Sequence, residues 1–410
     1  MKKKFNLFSL LFLLLITNHV FGQLLDEQFG DKGTLFIGEG DANQRISTSV
    51  MLSNGDIIVG IEVENKNISI LKYIYKNGSF NKNFGDNGSF TYTYNSADAS
   101  IISIKTDKND NIYLLLCDVF FEFNGNKTHL IKLDKTGKQD MTFGKEGKLT
   151  ISEDGLKPRD LLIESDGLIK ILFAKFSTNQ TVESNQIYQI KNGQIDKSFK
   201  NNGVFIIKTN VGYNVYLYQS NNINNGYYLI VLDSESDLVI SNYNNNLKLN
   251  KSFGENGIFI QPIYEYSVGK SHCFFENNNL LTIYLSSYDI KSILSINLIN
   301  GKLNEKIGEG GISNIPVPSY LSRGIFISPI KKNSFVINIS EVKYGAFIEY
   351  TADGTLNNEI GENGLFKANL NNWGAFSKIQ HFHFIDNSYF LLGFVSIKNK
   401  ETPFIQKYKL

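Results

Sequence analysis

From residue 24 onward the chain is written in short runs of alternating apolar and polar residues broken by turn signals. Residues 46–78 show the pattern: ISTSVML, SNG, DIIVGIEV, ENKN, ISILKYIY, KNG. A period of two places alternate side chains on opposite faces of a strand, and the Asn-Gly pairs supply the positive φ angles of tight hairpins. Helical periodicity is nearly absent. The first hairpin recurs as Asn54-Gly55, Asp166-Gly167 and Asn225-Gly226. The second recurs as Asn77-Gly78, Asn192-Gly193, Asn300-Gly301 and Asp353-Gly354.

A longer period organises these strands. Seven related segments stand at 25–33 (LDEQFGDKG), 80–88 (FNKNFGDNG), 139–147 (QDMTFGKEG), 195–203 (IDKSFKNNG), 249–257 (LNKSFGENG), 303–311 (LNEKIGEGG) and 356–364 (LNNEIGENG). Their anchors are Phe29, Phe84, Phe143, Phe199, Phe253, Ile307 and Ile360, spaced 53 to 59 apart. Three residues before each anchor stands an Asp or Asn (Asp26, Asn81, Asp140, Asp196, Asn250, Asn304, Asn357), suited to capping a turn through nearby amides. Four residues after it stands a Gly (Gly33 through Gly364), where a left-handed backbone would penalise a Cβ. A motif strand and three further strands per period amount to one four-stranded propeller blade. The expected fold is therefore all-β, a seven-bladed β-propeller over residues 23–410.

The register of the repeat predicts how the ring closes. The run FIQKYKL (404–410) corresponds to the run that elsewhere precedes the motif, while the first motif begins at Leu25. If each repeat runs from innermost to outermost strand, residues 24–37 complete a blade whose inner three strands lie within 377–410. That arrangement leaves no open edge between first and last repeats.

The chain resembles the bacterial delta-60 repeat proteins, whose units pair a hairpin of the form Asp-Gly-Lys-Ile-Val-Val with a downstream Leu-Asp-x-x-Phe-Gly-x-x-Gly. SNGDIIVG (53–60) matches the first part and the seven segments match the second, so the likeness covers residues 24–410. It implies an exported propeller-like protein and no common chemistry. Lys200 stands where the family has Gly, and Ile307 and Ile360 where it has Phe, so these blades are expected to be less regular.

Residues 1–22 carry Lys2, Lys3 and Lys4, an apolar run from Phe5 to Ile16 and a small residue at Gly22, the layout of a secretory signal peptide. A secreted or periplasmic location follows, with association to the cell surface requiring some other anchor, because no Cys stands at the cleavage site. No later stretch approaches about 18 uninterrupted apolar residues, so no transmembrane segment is expected. Only Cys117 and Cys273 are present, which leaves packing to hold the fold. With 41 Lys and Arg against 40 Asp and Glu before the three leader lysines are removed, the mature chain is near neutral. A nucleic-acid partner gains no support.

Propellers bind where the loops entering the innermost strands converge on the channel mouth, and here those loops vary while the motif does not. The three arginines of the chain, Arg45, Arg159 and Arg323, each lie 16 residues beyond an anchor. Equal spacing predicts one shared blade position, a partial ring of guanidinium groups for carboxylate, phosphate or sulfate. Pairing with neighbouring acids such as Asp160 is the simpler alternative. His272, Trp373 and His381 fall in comparable inner positions, and Trp373 would suit a sugar or a peptide side chain. His381 and His383 share a strand face without an evident third metal ligand, and TDKNDN (106–111) reads as a hairpin rather than a calcium loop. No metal or cofactor is expected, and no nucleophile elbow, zinc-protease or phosphate-loop motif occurs. The preferred reading is a monomeric, non-catalytic propeller binding a glycan or protein at its mouth. The alternatives are a hydrolase or lyase acting on polysaccharide and a structural module for surface assembly.

Overall fold

The computed structural model describes residues 24–38, 42–64, 66–94, 99–118, 127–212, 214–220, 226–232, 237–263, 267–268, 274–277, 279–286, 291–308, 310–314, 325–331, 334–340, 345–351, 355–361, 364–368 and 377–409. The described residues contain strands and no helix, gathered into seven separate antiparallel sheets. Blade 1 runs Gln44–Met51, Ile57–Val63, Ile68–Ile74 and Ser89–Thr93 from axis to rim. Blades 2 to 6 follow the same order, and innermost strands pack against one another from blade 5 through blades 6, 7, 1, 2 and 3 to blade 4. The protein is a seven-bladed β-propeller.

Blade 7 is built from both ends of the chain. Its inner strands are Ser377–Ile385, Ser388–Ile397 and Lys400–Lys409, and the rim is supplied by Leu24–Leu25 and Thr34–Phe36. Leu24 pairs Lys409, Leu25 pairs Tyr408, and Thr34, Leu35 and Phe36 pair Gln406, Ile405 and Phe404. Phe29 meets Phe390 edge-on at 5.7 Å. Asp26 is buried and reaches Lys407 at 3.1 Å and Lys409 at 2.8 Å. Burial pushes its carboxyl up, but hydrogen bonds from the two lysines outweigh this and hold it below the usual range. The seam expected from the repeat register is present.

The motif acts as a latch between blades. In all seven copies the Asp or Asn side chain accepts a hydrogen bond from the amide two residues on, at 3.0 to 3.4 Å. The terminal Gly adopts positive φ each time, as at Gly33 (87°) and Gly257 (101°). Among the described residues four motifs also press on a glycine of the next blade. The Gly85 amide donates to the Thr136 carbonyl at 2.7 Å and the Gly254 amide to the Asn300 carbonyl at 2.9 Å. A Cβ on Gly137 would lie 2.7 Å from the Gly85 nitrogen and 2.8 Å from the Phe84 ring. Gly78, Gly193 and Gly301 occupy the same place against Phe29-Gly30, Phe143-Gly144 and Phe253-Gly254.

Ile307 and Ile360 are as deeply buried as Phe29, Phe84, Phe143 and Phe253, while the blade that the Ile307 motif completes has an inner edge formed by two short strands, Ser267–Val268 and Phe274–Asn277. Apolar volume, rather than the ring, is what the position requires. Phe199, beside Lys200, is only half-buried, and there the expected irregularity is found. The run 106–111 forms a hairpin in which Asp107 accepts from the amides of Asn109 and Asn111.

Candidate functional site at the channel mouth

Antiparallel order puts the loops entering the blades and the hairpins between second and third strands on one face of the ring. On this face lies a cavity of about 210 Å³ at the junction of blades 1 and 2, lined by Asn43, Arg45, Glu62, Glu64, Asn67 and Tyr94, among others. Arg45 begins the innermost strand of blade 1 opposite Glu62. Its Nη2 donates to Glu401 Oε1 of blade 7 at 2.7 Å, Nε binds the second oxygen of the same carboxylate, and the guanidinium lies 5.5 Å from the Phe394 ring centroid. This two-pronged pair spans the junction of blades 7 and 1, and the Arg45 side chain keeps 56% of its surface exposed. Glu401 holds the guanidinium pKa above its ordinary value.

Glu62 is more enclosed. Burial raises its carboxyl pKa even though Ser100 Oγ and the Ile101 amide, both at 2.8 Å, donate to it. Tyr94 shares a 2.7 Å hydrogen bond with Ser69 Oγ, and burial pushes its phenol well above the normal range. The pocket therefore presents an accessible cation, a carboxyl biased toward its protonated form and amide groups on its rim.

The innermost strands of blades 1, 2, 3 and 7 each carry a β-bulge, between Ile46 and Thr48, Ile101 and Ser103, Pro158 and Asp160, and Ile379 and His381. The bulged residues are Ser47, Ile102, Arg159 and Gln380. Arg45 and Arg159 thus occupy different blade positions, two residues apart, although both lie 16 residues from an anchor. The entry loops differ in length, so register is set by the first hairpin and not by the preceding motif. By register the counterparts of Arg45 are Lys157 in blade 3, Lys378 in blade 7 and Ser100 in blade 2. A cation begins the innermost strand in blades 7, 1 and 3.

Lys157 is buried with its Nζ 5.6 Å from the Phe176 centroid, and burial, reinforced by Arg159, lowers its pKa. Asp160 accepts from the Leu161 amide at 2.8 Å and, across the blade junction, from the Leu217 amide at 3.3 Å. Burial raises its pKa.

His381 and His383 face blade 1, where Ser49 Oγ meets His383 Nε2 at 2.8 Å. Desolvation lowers their pKa values to about 4 and about 3, so both rings are neutral at pH 7. They pack at a blade junction rather than at the mouth pocket. Among the described residues no three His, Cys, Asp or Glu side chains converge as a metal site. Arg323, His272 and Trp373 lie outside the described residues, as do residues 1–22. Sequence reasoning missed Glu401 and Glu62; a partner 356 residues away leaves no local signal, whereas counting back from the first hairpin would have found Lys157 and Lys378.

No family model matches the sequence, and no curated protein matches it. Solved structures do. Prolyl oligopeptidase B from Galerina marginata aligns with a TM-score of 0.51 at 11% identity over 90% of this chain and 48% of the enzyme, in a form bound to a 35-residue hydrolysis and macrocyclization substrate. The chain spans about half the length of that enzyme. The polysaccharide lyase Uly1 aligns with a TM-score of 0.50 at 10% identity, covering 93% of each chain. At such identities the likeness carries architecture and no chemistry, and the chain is similar to these proteins in its ring of β-blades.

Proposed function

We propose that this is an exported, non-catalytic propeller that binds an acidic glycan or protein at its channel mouth, at the cell envelope or outside the cell. The observation that carries this reading is the exposed Arg45 guanidinium on the wall of a polar pocket between blades 1 and 2, at a register position where blades 3 and 7 also carry a cation, Lys157 and Lys378. The leader-like residues 1–22 and the delta-60 likeness support export. Binding of purified protein to an array of acidic and neutral glycans tests the reading, with Arg45→Gln/Lys378→Gln expected to weaken any acidic hit at least tenfold. Failure to bind any glycan or acidic peptide, together with turnover of a polysaccharide, would overturn it.

The second reading, a hydrolase or lyase acting on polysaccharide, draws on Glu62. A carboxyl whose pKa is raised within a cavity is a suitable general acid. Loss of turnover in Glu62→Gln with unchanged binding is its signature.

A further inference from the structure

The opposite face of the ring, where first hairpins and motifs lie, holds a larger cavity of about 730 Å³ at the junction of blades 3 and 4. Its volume falls within the roughly 300–1,000 Å³ of small-molecule sites. Three departures from the repeat coincide there. Lys200 replaces the Gly that follows the anchor elsewhere. Leu247 replaces the Gly that receives the latch in the next blade, and holds a left-handed φ of 49°. Lys170 occupies a core position whose counterparts are Ile58, Tyr113, Tyr228, Thr282, Val336 and Phe390.

These departures form one construction. Where Gly meets Gly, blades close until a Cβ would strike the neighbouring motif's backbone and ring. Lys200 and Leu247 both carry a Cβ; Leu247 is buried in the apolar cluster against which Phe199 packs, and Phe199 itself is left half-buried. The floor beneath is polar and organised. The buried Lys170 ammonium is paired with Glu164, donates to Gln189 Oε1 at 3.1 Å and lies 4.8 Å from the Tyr227 ring centroid. Gln189 in turn donates to Asp196 at 2.9 Å, which accepts from Ser198 Oγ. A buried ammonium is costly unless paired in this way, and a non-glycine residue at positive φ is a form of strain that clusters at functional sites. The rim is exposed and carries Asn245, Asn246, Asp166, Lys200 and Lys248, with Gln219 set deeper.

We propose that this cavity is a second ligand site, for a uronate saccharide of one or two rings. Side-chain amides donate and accept at once, which matches a dense array of sugar hydroxyls. Glu164 is paired with Lys170, and Asp196 is held in the floor by Gln189 and Ser198, so the exposed rim offers the Lys200 and Lys248 ammonium groups against Asp166, two points at which a uronate carboxylate is held and a neutral sugar is not. The proposal is independent of the channel mouth, since the two sites lie on opposite faces.

Titration calorimetry with digalacturonate, cellobiose and inorganic sulfate, on full-length protein, tests it. Digalacturonate is expected to bind at least tenfold more tightly than either control. Restoring the repeat with Lys200→Gly/Leu247→Gly should weaken digalacturonate at least tenfold; because Leu247 is buried, its truncation also lowers the melting temperature, so Lys200→Gln, which spares Leu247 and should weaken binding with the melting temperature unchanged, separates loss of the site from loss of the fold. Arg45→Gln should leave this binding unchanged while affecting the mouth. Lys170→Met, which keeps volume but breaks the floor, should also weaken binding. No binding by the wild-type protein at millimolar digalacturonate, equal binding by the restored variant, or sulfate binding as tight as the uronate would overturn the proposal.

Discussion

The seam in blade 7 is most directly tested by Phe29→Ala, with Phe143→Ala as its internal control. Both side chains are anchors of the same motif, with exposures of 1% and 6%. Truncating a buried Phe costs about 3–5 kcal/mol. The two losses should nevertheless be distributed differently. Phe143 sits in a motif joined by a hairpin to the sheet it completes, so its removal weakens the ring as a whole. Phe29 belongs to a rim segment that the chain joins to blade 1 rather than to blade 7, held by strand pairing, the Asp26 ion pairs, its own contact with Phe390 and the approach of Gly78. Residues 24–37 can therefore open locally. At about 1.4 kcal/mol per factor of ten, amide exchange at Asp26 and Ile37, which donate to Lys407 and Pro403 at 2.8 and 3.0 Å, should accelerate roughly 100- to 4,000-fold in Phe29→Ala. Exchange at Asp140, which donates to Lys132 at 2.9 Å, should change far less in that variant. Hydrogen exchange read by mass spectrometry resolves the two regions. Uniform acceleration across all blades in Phe29→Ala would refute a locally opening seam.

Acid should loosen the junction of blades 7 and 1. Unfolded His381 and His383 take up protons below about pH 6.5, whereas the folded rings resist to about 4 and about 3, so stability present above pH 6.5 falls as pH drops through this window. By pH 5 the loss amounts to at most about 2 kcal/mol per ring; chemical denaturation of His381→Gln/His383→Gln at pH 7 and pH 5 should show a flatter dependence than wild type. Gly137→Ala should cost at least about 2 kcal/mol, because the new Cβ meets the Gly85 nitrogen at 2.7 Å in a backbone of φ 81°; a smaller loss in urea unfolding would remove the latch from the account. Glu401→Gln should lower stability by no more than about 1 kcal/mol, since Arg45 is more than half exposed, yet should change mouth binding and its salt dependence.

The seven blades, the capping Asp and Asn residues, the glycine turns and the seam were all legible, because each is local chemistry repeated in phase. The exceptions are equally physical. Equal distances of Arg45 and Arg159 from their anchors misled because entry-loop length, which no periodicity constrains, intervenes before the bulge. Lys200 was visible as a departure from the repeat. Its meaning depended on Leu247 and Lys170, which only register and packing bring to the same junction. The Arg45–Glu401 pair joins residues at opposite ends of the chain and could be found only once the ring was closed.

The motif strand at the rim of one blade is followed in sequence by the innermost strand of the next. The period of the sequence and the boundary of the blade are thus offset by one strand. A duplication or loss of any one period would insert or delete the rim of one blade together with the inner strands of its successor, leaving every remaining sheet four strands wide and every latch matched to a receiving turn. A cut placed at the blade boundaries themselves would separate each latch from the turn that follows it. The offset therefore lets the ring change circumference by whole units without passing through a form that has a torn sheet, and it ties the number of blades to a single, easily copied length of gene.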